Sequence, residues 1–300
     1  MMDPSGPTHD ELLATARAVR RRALELVLTQ EGGYLSQVCS SAEILTTLYL
    51  RVMRLGPSVA PAIPSSYDDT PPGFTGAGYN GPKAPDLDRF VFSPSHYALA
   101  LYTTLVEVGR LAPEALELYG RDGSALEAIG AEHSPGHEVT GGSLAQAISQ
   151  AAGIALGRKM KGETGRTWVF VSDGELQEGQ FWECLQMASW YGLDRLGIVM
   201  DRNGFQCDGP MEGVMGVEPV AERLEAFGMD IHEVDGHDPQ ALCEACGHVG
   251  GGRPLFVLAH TRPCQGIPLL ERRLPKVHYL RFQDEPEKEA LREWLCSNPH

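Results

Sequence analysis

The apolar positions change period along the chain. Leu12, Leu13, Ala16, Val19, Ala23, Leu24 and Val27 recur at three- and four-residue intervals behind a Thr8/Glu11 capping box, which predicts an amphipathic helix over 9–30. A second helix is expected over 41–53 (SAEILTTLYLRVM). Beyond residue 88, short apolar runs alternate with helical patterns: RFVF (89–92) then 96–109, TWVFV (167–171) then 178–191, and LGIVM (196–200) then 219–227. Runs around MDIHEV (229–234) and PLFVLAH (254–260) flank a further helical stretch at 238–247. About five strands of this kind suit a mostly parallel sheet with helices on both faces, an α/β fold in a single domain over 1–300.

Residues 56–86 hold seven prolines and five glycines and sustain neither period, so they read as a long loop. The loop contains Gly76-Ala-Gly78-Tyr-Asn-Gly81, a literal GxGxxG. No apolar strand precedes it and Pro82 stands where a helix would begin, so it reads as a decoy rather than a dinucleotide fingerprint. At the other end, DEPEKEALREWLC predicts a surface helix within a helical tail at 284–300.

Composition narrows the function classes. With 42% apolar and 22% charged residues the chain is globular, and 25 Lys and Arg against 40 Asp and Glu leave a net charge of -15 that repels polyphosphate, so no nucleic-acid partner is expected. No apolar run approaches the roughly 18 residues of a membrane span, and MMDPSGPTHDELL lacks a basic flank before an apolar core. A cytoplasmic protein without a membrane partner is the expectation. Seven cysteines, an odd number, are read as reduced thiols. Cys243 and Cys246 form a CxxC near His248, and a zinc site would draw on Cys264 or His260; helical spacing makes buried helix cysteines the plainer alternative.

Ligands of an open parallel sheet bind beyond the carboxyl ends of its strands. TWVFVS runs into Asp173-Gly174 and LGIVMD ends just before Asn203, 30 residues on, so adjacent strands deliver a carboxylate and a carboxamide to one edge. Gly174 there allows close backbone approach or an unusual dihedral. Two hard oxygen donors suit Mg²⁺ or Ca²⁺ with a phosphate ligand. Taken singly, Asp173 is as well read as a helix N-cap and Asn203 as a turn residue.

SDGELQEGQFWE followed at that interval by DRNGFQCDG resembles the thiamine-diphosphate motif of the transketolase family. DRFVFSPSHYALALY (88–102), PGHEVTGGSLAQAISQAAGIALG (135–157) and VDGHDPQAL (234–242) resemble further family segments in the same order. The resemblance runs from about residue 10 to 280. It implies that Asp173, Asn203 and the Phe205 carbonyl hold the metal. Gly142, Ser143 and Leu144, opening a helix, would lie along the cofactor with Gly174 and Glu175. His96 and His260 would stand beside the diphosphate, and Glu178 at a subunit interface.

The sequence also departs from the family pattern. Tyr34 in GGYLSQVCS occupies the place of a substrate-contacting histidine, and another such histidine is represented by His133 or His137. His278 in KVHYL weakly matches a third, and Pro263-Cys264-Gln265-Gly266 replaces a KGKG segment. These changes fall on the substrate side. The family's pyrimidine-binding domain, with its cofactor-activating glutamate, does not follow within the 300 residues, so the chain resembles the N-terminal subunit of a split transketolase, inactive alone and paired with a C-terminal subunit, two copies of each. The reaction so implied moves a two-carbon ketol unit from a ketose-type donor to an aldehyde. The alternatives are a carboligase using a decarboxylated 2-oxoacid and a catalytically silent cofactor-binding subunit.

Overall fold

The computed structural model describes residues 6–71, 73–248 and 251–298, so the extreme ends of the expected domain and tail lie outside it. Helix α1 (His9–Thr29) begins at the expected capping box: the Thr8 hydroxyl accepts from the N–H of Glu11, whose carboxylate accepts from the Thr8 N–H at 2.7 Å. Helix α2 (Leu35–Thr47) starts six residues before the predicted position and continues through a π-helical turn, Leu48–Val52. Every residue of α2 is buried, Ser36, Gln37, Ser40 and Ser41 included, so it carries no polar stripe to reveal its period.

The sheet consists of β1 (Arg89–Phe92), β2 (Thr167–Ser172), β3 (Leu196–Arg202), β4 (Asp230–Asp235) and β5 (Leu255–His260). All neighbours are parallel, in the order β1-β2-β3-β5-β4. Successive side chains of a strand point to opposite faces, and the sequence fills both. Phe90, Phe92, Trp168, Phe170, Val199, Val257 and Ala259 enter a core under α1, α2, α3 (Ala98–Glu107) and α7 (Pro239–Cys246). Val91, Val169, Val171, Ile198, Met200, Phe256 and Leu258 enter the other, under α4 (Gln146–Lys161), α5 (Gly179–Trp190) and α6 (Val220–Ala226). The uniformly apolar runs are therefore strands with no wet face.

One expectation is modified and another is filled in. The acidic helix α8 (Glu285–Ser297) is not simply a surface helix: Lys288 and Leu291 are buried, Trp294 and Leu295 pack on the core, and Arg21 of α1 donates to the Leu295 carbonyl at 2.7 Å. The loop 56–86 is anchored by Arg110, which donates to the carbonyls of Tyr79 and Gly56. Its GxGxxG forms a 3-10 turn, Gly76–Asn80, with no strand leading into it. A Cβ on Gly76 would stand 1.7 Å from the Ser134 carbonyl oxygen, so that glycine serves a close backbone approach rather than a phosphate.

Candidate metal and diphosphate site

The parallel register carries the carboxyl ends of four strands to one edge. Ser172 of β2 lies opposite Asp201 of β3, and Arg202 opposite His260 of β5. Ser93, Ser95 and His96 follow β1 at the same edge.

Asp173 is buried just beyond β2. Its Oδ2 accepts from the Gly204 N–H at 2.7 Å and from Arg202 Nη1 at 3.2 Å, and no group among the described residues donates to Oδ1. Burial, and then the neighbouring Asp201 carboxylate, push the Asp173 carboxyl up to about 7. Asp173 is not an N-cap; Ser172 and Glu175 cap the 3-10 turn Asp173–Gln177. Asn203 Nδ2 donates to the Tyr97 hydroxyl (2.9 Å) and to Asp201 Oδ2 (3.1 Å), which fixes the direction of the amide. Its Oδ1 accepts from the Phe205 N–H at 2.9 Å, so the turn role is real and leaves a lone pair on that oxygen.

A carboxylate oxygen without a donor, beside an amide oxygen of fixed direction, is a donor set that a hard divalent cation fits. Of the two roles expected of Gly174, the unusual dihedral is not found, because its φ is not in the left-handed region, and a Cβ there would meet nothing within 4 Å. Its lack of a side chain leaves open space beside Asp173.

Glu175 is wholly buried. Its Oε2 accepts from Ser93 Oγ (2.5 Å) and the Ala145 N–H (3.1 Å), while Oε1 accepts from the Ser172 N–H (2.9 Å). Burial pushes this carboxyl up to about 7. It is thus an internal brace that ties three loops of the edge together, rather than a group facing a ligand. One of those loops holds Gly142, Ser143 and Leu144. They precede α4 instead of opening it, because Gly142 (φ 96°) and Ala145 (φ 60°) are left-handed and the helix begins at Gln146. Ser143 makes no side-chain cap.

The structure gathers some of the predicted histidines and separates others. His96 and His278 lie with ring centroids 5.3 Å apart, and Tyr34 meets both edge-on at 5.7 and 5.6 Å. Burial, and then His278, push His96 down to about 3, which keeps the ring neutral. Gln37 Nε2 lies 3.1 Å from His278 Nδ1 and donates to the His278 carbonyl at 2.9 Å. His260 is exposed at the end of β5, 2.9 Å from Glu233. His133 belongs to a different cluster, paired with Glu127 at 3.1 Å and packed on Tyr67. His137 is wholly buried between Phe92 and Tyr102. Glu178 is exposed at the start of α5.

For the zinc alternative, Cys243 and Cys246 are buried in α7, where burial raises both thiols away from the thiolate that zinc requires. His248 stacks on His232, and among the described residues no set of three His, Cys, Asp or Glu side chains converges on a metal position. Sequence reasoning passes over Asp201, Arg202 and Ser93. The first two are readable as polar residues ending an apolar strand, but Ser93 gives no local signal.

Fold and site together define an α/β domain with a polar ligand site at the carboxyl edge of a parallel sheet. Residues 76–299 match the family described as transketolase, thiamine diphosphate binding domain. The chain is similar to a transketolase family protein of Sinorhizobium fredii, 36% identical over 92% of each chain. It is also similar to an apulose-4-phosphate transketolase subunit of Actinobacillus succinogenes, 31% identical over 95% of this chain and 97% of that one. The fold is that of the Campylobacter jejuni transketolase crystal structure (TM-score 0.76, 22% identity), of which the chain covers 42% with 95% of its own length. The chain belongs to the transketolase family. It is a transketolase-like enzyme subunit corresponding to the thiamine diphosphate-binding N-terminal part, and it aligns nearly end to end with proteins whose names mark them as transketolase subunits.

Proposed function

We propose that the chain is the diphosphate- and Mg²⁺-binding subunit of a two-component transketolase that moves a two-carbon ketol unit from a ketose-type donor to an aldehyde. The observation that carries this reading is the Asp173 carboxylate, one oxygen fixed by Gly204 and Arg202 and the other without a donor among the described residues, beside the oriented Asn203 amide. Asp173, Asn203 and the Phe205 carbonyl would hold the metal; Gly142, Ser143, Leu144, Gly174 and His260 would line the diphosphate.

Bound thiamine diphosphate supplies an electron sink for cleavage and formation of a carbon–carbon bond. The residues of this chain orient and hydrogen-bond. His96 and His278, kept neutral by burial, offer ring nitrogens to substrate hydroxyls as hydrogen-bond partners. Glu175 keeps the three loops in register.

The chain spans about two fifths of the Campylobacter jejuni transketolase, and relatives matched over nine tenths of their length or more are named as transketolase subunits. That naming supports a separate partner carrying the pyrimidine-binding domain and its activating glutamate, with exposed Glu178 at the interface and two copies of each subunit. Seven free cysteines, five of them buried, support a reducing, cytoplasmic setting. No helix among the described residues is long and apolar enough to cross a membrane.

The test is reconstitution with the partner subunit, thiamine diphosphate and Mg²⁺. Ketol transfer from ketoses supports the proposal, and a mixture that binds cofactor without turnover contradicts it. Tyr34, packed on His96 and His278, favours one second reading: CO₂ release from a 2-oxoacid donor would establish the carboligase instead.

A further inference from the structure

Arg202 closes β3 immediately before Asn203, and its side chain is 13% exposed. Nη1 reaches Asp173 Oδ2 at 3.2 Å, and Nη2 donates to the Glu218 carboxylate. Glu218 is held in turn, its Oε2 accepting from the Val220 N–H at 2.9 Å. A guanidinium facing a carboxylate ordinarily presents two parallel N–H bonds to both oxygens. Here the fork is split between two acids. Asp173 receives one point of contact, on the oxygen that the Gly204 N–H already occupies. Both donors therefore converge on Oδ2, and Oδ1 is left without a donor among the described residues.

We propose that Arg202, braced by Glu218, is a positioning residue for the cation site: it pins one oxygen of Asp173 so that the other is presented to the metal. The inference rests on the metal-diphosphate reading above and adds residues outside the ligand set. Partners that orient a metal-binding carboxylate typically govern affinity by tenfold to a hundredfold when removed. The opposite arrangement, in which Arg202 occupies the cation's place and competes with it, requires the guanidinium on Oδ1 or across both oxygens; the bonds fall on Oδ2 alone.

The experiment is titration of Mn²⁺ in the presence of thiamine diphosphate, followed by electron paramagnetic resonance, on the full chain with its partner subunit. Arg202→Met is expected to raise the Mn²⁺ dissociation constant by about tenfold to a hundredfold and to broaden the bound-Mn²⁺ spectrum. Arg202→Lys keeps the charge and loses the fork, so it should recover part of the affinity. Glu218→Gln, at a largely exposed site, should weaken Mn²⁺ by a smaller factor, about threefold to tenfold. Unchanged or tighter Mn²⁺ binding in Arg202→Met overturns the inference. Should that variant not fold, wild-type binding by both Arg202→Lys and Glu218→Gln overturns it equally. Failure of the wild type to retain Mn²⁺ with thiamine diphosphate would overturn the metal-diphosphate reading itself, a separate outcome.

Discussion

The backbone N–H of Gly204 donates to the Asp173 carboxylate at 2.7 Å. This bond closes the loop after β3 onto the turn after β2, and so holds Asn203 beside Asp173 across 30 residues of chain. Asp173→Ala is expected to weaken Mg²⁺-dependent binding of thiamine diphosphate by at least about a hundredfold, the upper end of what outer partners carry. Far-ultraviolet circular dichroism should be unchanged, because the strands flanking Asp173 are held by two separate cores. Isothermal titration in Mg²⁺ and in chelator reads the difference; equal affinity of variant and wild type would count against the site.

Tyr34 stands edge-on to His96, His278 and Tyr279, with ring centroids 5.7, 5.6 and 4.8 Å away. An imidazole in its place is smaller and hydrogen-bonds through nitrogen. Tyr34→His should therefore shift KM among ketose donors by several-fold with a smaller change in kcat, the signature of altered ground-state contact. Identical kinetics across the donor panel would remove Tyr34 from the substrate side.

His137 is buried with Nε2 lacking a partner among the described residues, and burial pushes its imidazole down to about 4 from 6.5. The folded protein then binds fewer protons than the unfolded chain between those values. Stability is fully present above the unfolded pKa, and it is lost as pH falls from there through the folded one. Cofactor-free protein should lose about 3 kcal/mol between pH 7 and pH 4 from this group alone. Denaturant melts across that range should show a flatter profile for His137→Phe, which keeps the ring contacts with Phe92 and Tyr102. An identical slope would assign the acid sensitivity elsewhere.

The Gly76 contact gives a stability prediction independent of the site. A methyl group 1.7 Å from the Ser134 carbonyl oxygen forces the loop away from its seat, so Gly76→Ala should destabilise by about 3 kcal/mol. For a domain of this size that is roughly a 5–10 °C loss of Tm. A wild-type Tm would mean that the loop 56–86 is free to move.

Legibility follows the range of the interactions. Strands filled on both faces and the capped α1 are plain, since each signal lies within a few residues. The start of α2 is hidden because its serines are buried: Ser40 donates to Asp201 at 2.5 Å, a partner 161 residues away. Asp173 and Asn203 can be paired from the spacing of two strand ends. The buried role of Glu175 depends on Ser93, 82 residues distant, and that of Arg202 on a side-chain direction, neither of which a period or spacing encodes. His133 and His137 are indistinguishable in sequence; only packing separates the paired ring from the buried one.

The metal site is tested most directly by an anomalous difference map from crystals of the complex with its partner subunit, grown with Mn²⁺ and thiamine diphosphate. A Mn²⁺ peak is expected about 2 Å from Asp173 Oδ1 and Asn203 Oδ1, with the Phe205 carbonyl and diphosphate oxygens completing the shell. A cofactor-loaded complex with its Mn²⁺ elsewhere, or with Asp173 and Asn203 turned from it, would contradict the proposed site.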